Sequence, residues 1–257
     1  MAEADALLAG LDGFVLDQLG LTLPPSDGRS VYAVRLGEGV RLRADPNFHT
    51  PQFRELQRRL GKLQTEPLGG LAKLFEERQN PSEGDDPTFR YIEISSVSAQ
   101  TGEAFAVDTL RVEAPSRARM VVHTGNIIVS LTRPQRGSIA FIDDTLEDCI
   151  ASTGFAVLCD IDCDRVQTSY LFAFLRTQAA RLQMLQRSSG GNYPAITEDE
   201  LGRVVVPVPN HKVQTKIATE VARRRDTARR LREEAARLWE DAKRMFEDEL
   251  LGLEVKS

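Results

Sequence analysis

The chain reads VVVPVPNHKVQTKIATEVARRRDTARRLREEAARLWEDAKRM from residue 204 to residue 245. A short β-branched run closed by two prolines passes here into a stretch, 213–250, that contains neither Gly nor Pro. Its seam of apolar or small residues advances by alternating steps of four and three, broken by one arginine: Ile217, Val221, Arg224, Ala228, Leu231, Ala235, Leu238, Ala242 and Met245. This spacing predicts one long helix, roughly 55 Å in length, that packs against another helix.

Two shorter helices are predicted nearer the N-terminus. The first runs from Asp5 to Leu19, with apolar residues at helical spacing, and the second begins at Pro51. A short strand is predicted over Val31–Leu36, between the two helices. The breakers Pro67, Gly69 and Gly70 then mark a boundary before the central part of the chain.

The central part alternates strand-like and helix-like segments. A helix is predicted from Ser169 to Leu185, and a second, short helix begins at the capping-box pattern of Thr197 and Glu200. The predicted strands are Arg90–Val97, Asn126–Thr132, Ser138–Ile142, Phe155–Leu158 and Val204–Val208. We therefore predict an α+β protein with a helical segment at 1–64, a mixed α/β domain at 65–210 and a long coiled-coil-type helix at 211–257.

Charge is unevenly distributed along the chain. The net charge of −5, from 33 basic and 38 acidic residues, by itself disfavours a nucleic-acid-binding protein. However, residues 111–136 hold five arginines and one acid, and residues 165–197 hold four arginines and no acid. Phosphate binding depends on local potential rather than on net charge. From charge alone, a phosphate-binding surface and chance segregation on a solvated surface are equally supported.

Composition and motifs exclude several classes of protein. The first ten residues, MAEADALLAG, lack the features of a signal peptide, and no run of 18 apolar residues predicts a membrane helix. We expect a cytoplasmic protein without a metal site, because Cys159 and Cys163 have no CxxC spacing and no further Cys or His close by. Neither an adenine-methyltransferase tetrad nor a phosphate-binding GxxxxGK[ST] loop occurs, and the nuclease-like Glu254-Val-Lys256 lacks a paired acid. We therefore predict no catalytic residues and no enzymatic activity.

Four segments, in this order, resemble the specificity subunits of type I restriction–modification systems. The match depends on their order and spacing, and Asn126 stands where the family usually has Asp. The segments are Tyr91-Ile-Glu-Ile-Ser-Ser-Val with Thr101-Gly102; Gly125-Asn-Ile-Ile-Val-Ser-Leu-Thr-Arg-Pro; Tyr170-Leu-Phe-Ala-Phe-Leu-Arg-Thr with Gly190-Gly191 and Ile196-Thr; and Val204-Val-Val-Pro-Val-Pro-Asn with Gln214 and Ile217-Ala218.

The resemblance implies a DNA target-recognition domain at 65–210, followed by a spacer helix. In this family the recognition domain binds double-stranded DNA, a separate modification subunit methylates adenine with S-adenosylmethionine, and a separate restriction subunit uses ATP and Mg²⁺. The resemblance therefore implies that this chain has no cofactor of its own.

Two polar loops are the candidates for DNA contact, one at 130–136 and the other at 187–193. Arginine suits both bidentate contact with guanine and contact with phosphate. The predicted DNA-binding residues are Arg117, Arg119, Thr132, Arg133, Arg136, Arg187, Ser188, Ser189 and Asn192. For each arginine, contact with phosphate or plain surface charge is favoured over base readout.

Usual family members carry two recognition domains and two spacer helices, whereas one of each is visible here. This difference suggests a half-length subunit, or the second half of a split or truncated gene, and we expect the long helix to pair with that of a second copy or of another half-subunit. The alternative from a different functional class is a helical scaffold protein whose central domain does not bind DNA.

Overall fold

The computed structural model describes residues 1–25, 31–33, 45–74 and 77–250. Half of the predicted strand Val31–Leu36, and the end of the 211–257 segment with Glu254-Val-Lys256, lie outside the described residues. The helices are α1 (Ala2–Gln18), α2 (Pro51–Leu60), α3 (Thr168–Leu175), α4 (Gln178–Arg187), α5 (Glu198–Gly202) and α6 (His211–Leu250). The strands are β1 (Thr65–Pro67), β2 (Lys73–Leu74), β3 (Thr88–Ile92), β4 (Val107–Leu110), β5 (Ala118–Val122), β6 (Ile127–Ser130), β7 (Ile139–Phe141), β8 (Cys149–Ser152), β9 (Phe155–Cys159) and β10 (Val205–Pro207).

The described strands form two four-stranded sheets and one two-stranded sheet. The strand order is β2-β9-β6-β7 in the first sheet and β4-β3-β8-β5 in the second, and β1 pairs with β10. All pairs are antiparallel except β3 with β8. The predicted α+β class is therefore confirmed, while the domain boundaries at residues 64 and 210 stay predictions.

Strand β6 lies at the centre of the core. Its side chains alternate, so that Ile127 and Val129 pack in a cluster with α3 and α4, whereas Ile128 packs against the second sheet with Met120 and Val122. Because both faces are covered, all four residues of β6 are buried. The molecule thus has three layers: helices, the first sheet and the second sheet.

The single helix predicted over Ser169–Leu185 is wrong: two helices occupy this stretch. α3 ends at Leu175, and the Thr177 side chain caps α4 by accepting a hydrogen bond from the Ala180 N–H. A threonine that caps a new helix competes with continuation of the preceding one. The apolar periodicity continues across the break, which is why the sequence pattern did not show it.

α1 and α6 pack as an antiparallel pair. Asp5, near the start of α1, pairs with Arg232, whereas the Gly10 carbonyl accepts a hydrogen bond from Arg224, earlier in α6. Ala4 and Leu8 pack against Ala228 in this contact. α1 therefore covers the part of α6 before about residue 232, and later apolar residues are exposed: Leu238, Trp239, Met245, Phe246 and Leu250.

Candidate nucleic-acid interface

The two loops proposed for DNA contact lie side by side. Thr132 and Ser189 each form an isolated β-bridge with Ala195. The backbone N–H of Arg133 donates to the Pro194 carbonyl at 2.7 Å. These backbone contacts join the loop after β6 to the loop after α4, so Thr132, Arg133 and Ser189 lie close to one another.

Arg133 is positioned by its backbone and by an aromatic ring. Its φ of 49° is in the left-handed region, which costs a non-glycine residue about 1–2 kcal/mol. Its guanidinium carbon lies 4.1 Å from the centre of the Tyr193 ring, a cation–π contact. Tyr193 is 70% exposed, so the stacked pair faces solvent.

Four of the predicted residues line one open groove together with Tyr193. The groove has a volume of about 650 Å³ and brings together Arg117, Thr132, Arg133 and Arg136. Its lining includes one acid, Glu93, whose carboxylate accepts a hydrogen bond from the Ser95 hydroxyl. Within the described ranges, none of the three groove arginines forms an ion pair. The groove therefore presents uncompensated positive charge beside an exposed aromatic ring.

Arg187 and Ser188 are placed differently, inside the domain. The Arg187 guanidinium donates to Glu200 at 2.9 Å, and its side chain is 15% exposed. Ser188 is buried, and its hydroxyl donates to the Met184 carbonyl at 2.7 Å. Contact between these two residues and DNA stays a prediction, and it would compete with these internal bonds.

The remaining predicted residues lie outside the groove lining. Arg119 donates to the Ala118 carbonyl at 2.8 Å. Ser189 lines a second cavity, of about 460 Å³, with Asn47. Asn192 is exposed in the loop next to Tyr193. Their contact with DNA also stays a prediction.

Tyr193 was absent from the predicted DNA-binding residues. In the structure its ring lies against Arg133, which is 60 positions earlier in the chain. Neither hydrophobic periodicity nor charge counts along the sequence can predict a contact between residues so far apart. The available signal was local: an aromatic residue directly after Gly190-Gly191-Asn192 is placed in a loop, where burial is not expected.

One cluster of potential metal ligands occurs in the described ranges, away from the groove. The Nδ1 atom of His123 lies 2.8 Å from Glu147 Oε1 and 3.3 Å from Asp148 Oδ1. Its Nε2 atom lies 3.2 Å from Glu77 Oε2. Hydrogen bonds with Glu147 and Glu77 raise the pKa of His123, although partial burial opposes them, and hydrogen bonds from Thr124 and His123 lower the pKa of Glu147 to about 2. The ring nitrogens of His123 thus lie among three carboxylates, and the three described cysteines are free thiols outside this cluster.

Comparison with known proteins agrees with this geometry. Residues 64–223 match the family model described as "Type I restriction modification DNA specificity domain". This chain belongs to that family. The matched range contains both loops, the groove and the four segments on which the resemblance rests.

The chain is also similar to individual type I specificity subunits, in sequence and in structure. The chain is 28% identical over 107 residues to the type I restriction enzyme HindI specificity subunit of Haemophilus influenzae, covering 41% of this chain and 23% of that protein. A crystal structure of the HsdS subunit from Thermoanaerobacter tengcongensis matches with a TM-score of 0.57 at 28% identity, over 71% of this chain and 47% of that one. A structure from work on the complex assembly and conformational transition of the type I R-M system matches with the same TM-score and identity, over 73% and 48%. The chain thus spans less than half the length of each of these relatives.

No described helix of this specificity-domain protein combines the length and the apolar character needed to cross a bilayer.

Proposed function

We propose that this chain recognises a specific sequence in double-stranded DNA and directs separate modification and restriction subunits to it. The observation that carries the proposal is the groove, in which Arg117, Arg133 and Arg136 lie beside Tyr193 without an ion pair among the described residues. The names of the matched relatives, a HindI specificity subunit and an HsdS subunit, support the same function.

The stacked Arg133 is the best candidate for base readout. The planar guanidinium offers two parallel N–H donors that match O6 and N7 of guanine. Stacking on Tyr193 limits its rotation before DNA arrives, which lowers the entropy lost on binding. Arg117 and Arg136, on the groove wall, suit phosphate contacts that fix the position of the duplex.

We propose further that the chain itself is not catalytic and acts in the cytoplasm. Methyl transfer from S-adenosylmethionine, and the steps that need ATP and Mg²⁺, would then belong to an adenine methyltransferase subunit and a restriction subunit. The purified chain with all three cofactors should neither methylate nor cleave DNA, and addition of the cognate modification subunit should start adenine methylation. Methyl transfer by the isolated chain would contradict this division of labour.

DNA binding itself is tested by fluorescence anisotropy at several salt concentrations. Binding that neutralises phosphates gives a steep linear dependence of log affinity on log salt concentration, whereas a scaffold protein gives none. Selection from random duplexes in the presence of the modification subunit should yield a defined consensus. Absence of DNA binding at low salt would favour the scaffold alternative.

The exposed end of α6 suggests a protein partner. Leu238, Trp239, Met245 and Phe246 are each more than 60% exposed, and burial of apolar surface stabilises association by roughly 25 cal/mol per Å². We propose that the same helix of a second copy, or the helix of another half-subunit, covers them. Light scattering at micromolar concentration should give twice the monomer mass if two copies pair. A mass of 28.6 kDa would exclude pairing of two copies and would favour the helix of another half-subunit as the partner.

A further inference from the structure

Three arginines converge on a cavity at the junction of the recognition domain and the long helix. The cavity has a volume of about 190 Å³ and is lined by Arg176 at the end of α3, Arg181 in α4 and Arg225 in α6. α1 and residues 99–100 complete its wall. We name this cavity the arginine pocket. It lies outside the groove that carries the proposed base readout.

Arg176 lines the arginine pocket and forms no ion pair with a described acid. Its guanidinium donates to three backbone carbonyls, those of Ile139, Ala99 and Gln100, at 3.0, 3.2 and 2.9 Å. These bonds satisfy its donors but leave its charge in place. Burial lowers the pKa of Arg176 to about 9, and the neighbouring Arg225 and Arg181 act in the same direction. The pocket is therefore strongly electropositive.

The guanidinium groups of Arg181 and Arg225 form fewer hydrogen bonds than that of Arg176. Their Nε atoms are buried and have no hydrogen-bond partner. Neither side chain forms a hydrogen bond or an ion pair with the residues that the structure describes, although Arg225 stacks over the Phe172 ring at 4.9 Å. A buried donor without a partner costs about 1–3 kcal/mol. Two arginines with such a donor and without any other hydrogen bond line one cavity, so an anion held between their guanidinium groups would gain bonds that no described residue supplies.

Acidic residues offset only part of the positive charge of the pocket. Asp12 lines it, but its carboxylate accepts a hydrogen bond from the Gln178 N–H at the start of α4. Glu103 attracts Arg176 and Arg225 through space and forms no ion pair within 4 Å. The lining thus holds three guanidinium groups and one carboxylate, that of Asp12, which leaves a net positive charge.

We propose that the arginine pocket binds a phosphate group, supplied either by inorganic phosphate or by the backbone of DNA. Guanidinium forks match the oxygens of a phosphate bidentately, and charge-assisted bonds of this kind are about twice as strong as neutral ones. The pocket adjoins the groove, because Ala99 lines both cavities and the Arg181 side chain lies against Gly137, next to Arg136. A backbone phosphate of a duplex held in the groove is therefore a possible source, and this second source rests on the proposed function.

The test uses the full chain and the variants Arg181→Gln and Arg225→Gln, each of which removes one charge from the pocket. Arg176 is left intact because its hydrogen bonds join the end of α3 to β7 and to residues 99–100, so its loss could change the fold. Arg230→Gln is the matched control, since Arg230 is exposed on the same helix and lies outside the pocket lining. Arg225→Lys retains the charge without the fork. Circular dichroism and the melting temperature establish that each variant folds.

The first measurement is isothermal titration calorimetry with inorganic phosphate. The ionic strength is kept constant by replacing chloride with phosphate. We expect phosphate to bind the parent chain and to raise its melting temperature, because a ligand that binds only the folded state stabilises it. Each Gln variant should lose about tenfold or more in phosphate affinity, Arg225→Lys should be intermediate, and Arg230→Gln should equal the parent. In phosphate-free buffer, Arg225→Gln should melt no lower than the parent, because it removes repulsion with Arg176.

The second measurement is DNA affinity against salt concentration for the same proteins. If a backbone phosphate occupies the pocket, each Gln variant should bind DNA more weakly and its salt slope should fall by about one. Loss of phosphate binding with unchanged DNA binding would instead assign the pocket to free phosphate, and both results support the proposal. It is overturned if neither Gln variant changes phosphate binding or DNA binding. A parent that binds phosphate but no DNA would overturn the proposed function and leave the pocket standing.

Discussion

Arg133 and Arg187 belong to the two neighbouring segments predicted to contact DNA, yet their surroundings are opposite. Arg133 stacks on the exposed ring of Tyr193 and lines an open groove. Arg187 is largely buried, donates to Glu200 and lies over Phe48 at 5.9 Å. The sequence predicts polar loops at both positions, but Arg187 is the last residue of α4, whereas Arg133 lies between β6 and β7. Residue type and position in the sequence therefore do not distinguish an exposed arginine from a paired one, whereas the presence of Glu200 beside Arg187 does.

The same distinction applies to the arginine-rich stretch 165–197. Arg165 pairs with Asp162 and Glu66, and Arg187 pairs with Glu200. Arg176 and Arg181 form no ion pair among the described residues and instead line the arginine pocket. A run of positive charge in the sequence thus divides into two arginines that form ion pairs and two that do not.

The largest effect on DNA affinity is expected from Arg133→Ala, which tests the difference between Arg133 and Arg187. Loss of a bidentate base contact should cost about 1–3 kcal/mol of affinity at one position of the target sequence, while the free energy of unfolding stays within about 0.5 kcal/mol. Affinity for a panel of single-base variants measures this. Arg229→Ala, an exposed arginine on α6, is the control. A uniform loss across sequences, with a shallower salt slope, would assign Arg133 to phosphate.

Arg187→Ala should act mainly on stability. Removal of the guanidinium leaves Glu200 partly buried with fewer donors, which we expect to cost about 2 kcal/mol in the free energy of unfolding. Urea denaturation checks this, and Arg203→Ala is a matched control because exposed Arg203 pairs with the same Glu200. A loss of DNA affinity equal to that of Arg133→Ala, with unchanged stability, would remove the contrast between the two loops.

Substitution of Tyr193 tests how much the stacking of its ring on Arg133 contributes to DNA affinity. Tyr193→Ala removes the ring and the cation–π contact, which is worth about 0.5–1 kcal/mol at an exposed site, so DNA affinity should fall severalfold. Tyr193→Phe keeps the ring and should bind nearly like the parent. Equal losses in both variants would show that the hydroxyl, and not the stacking, matters.

The smallest expected effect on DNA affinity is that of titrating His123, because neither predicted DNA-contact loop contains a histidine or an acid. We expect pH to change stability instead. The pKa of His123 is raised above its ordinary 6.5, so its contribution to stability is present below that pH and is lost as pH rises through the raised pKa. The pKa of Glu147 is lowered to about 2, so its contribution is present above 4.5 and is lost as pH falls towards 2.

The corresponding variant is His123→Gln. Between pH 6 and pH 9 the melting temperature of the parent should fall more than that of His123→Gln, and DNA affinity at one pH should be equal in both proteins. Parallel melting curves for the two proteins would contradict the assigned role of His123. A difference in DNA affinity would show that the His123 cluster reaches the groove.

The sequence alone determined the long helix, the α+β class and the membership of the specificity-domain family. These features are local: a seam that repeats every three or four residues specifies α6, and short segments in a set order carry the family match. The polar loops could also be located, because Gly and Pro interrupt regular structure there.

Tertiary structure alone decided which of the candidate residues share a site. The division of α3 from α4 depends on one side-chain cap at Thr177, and the pairing of Arg133 with Tyr193 joins positions 60 residues apart. The arginine pocket assembles side chains from three helices, and α1 closes its wall. The energy of a charge depends on its burial and on the partners within a few ångströms. These quantities are properties of the packed chain, and no count along the sequence contains them.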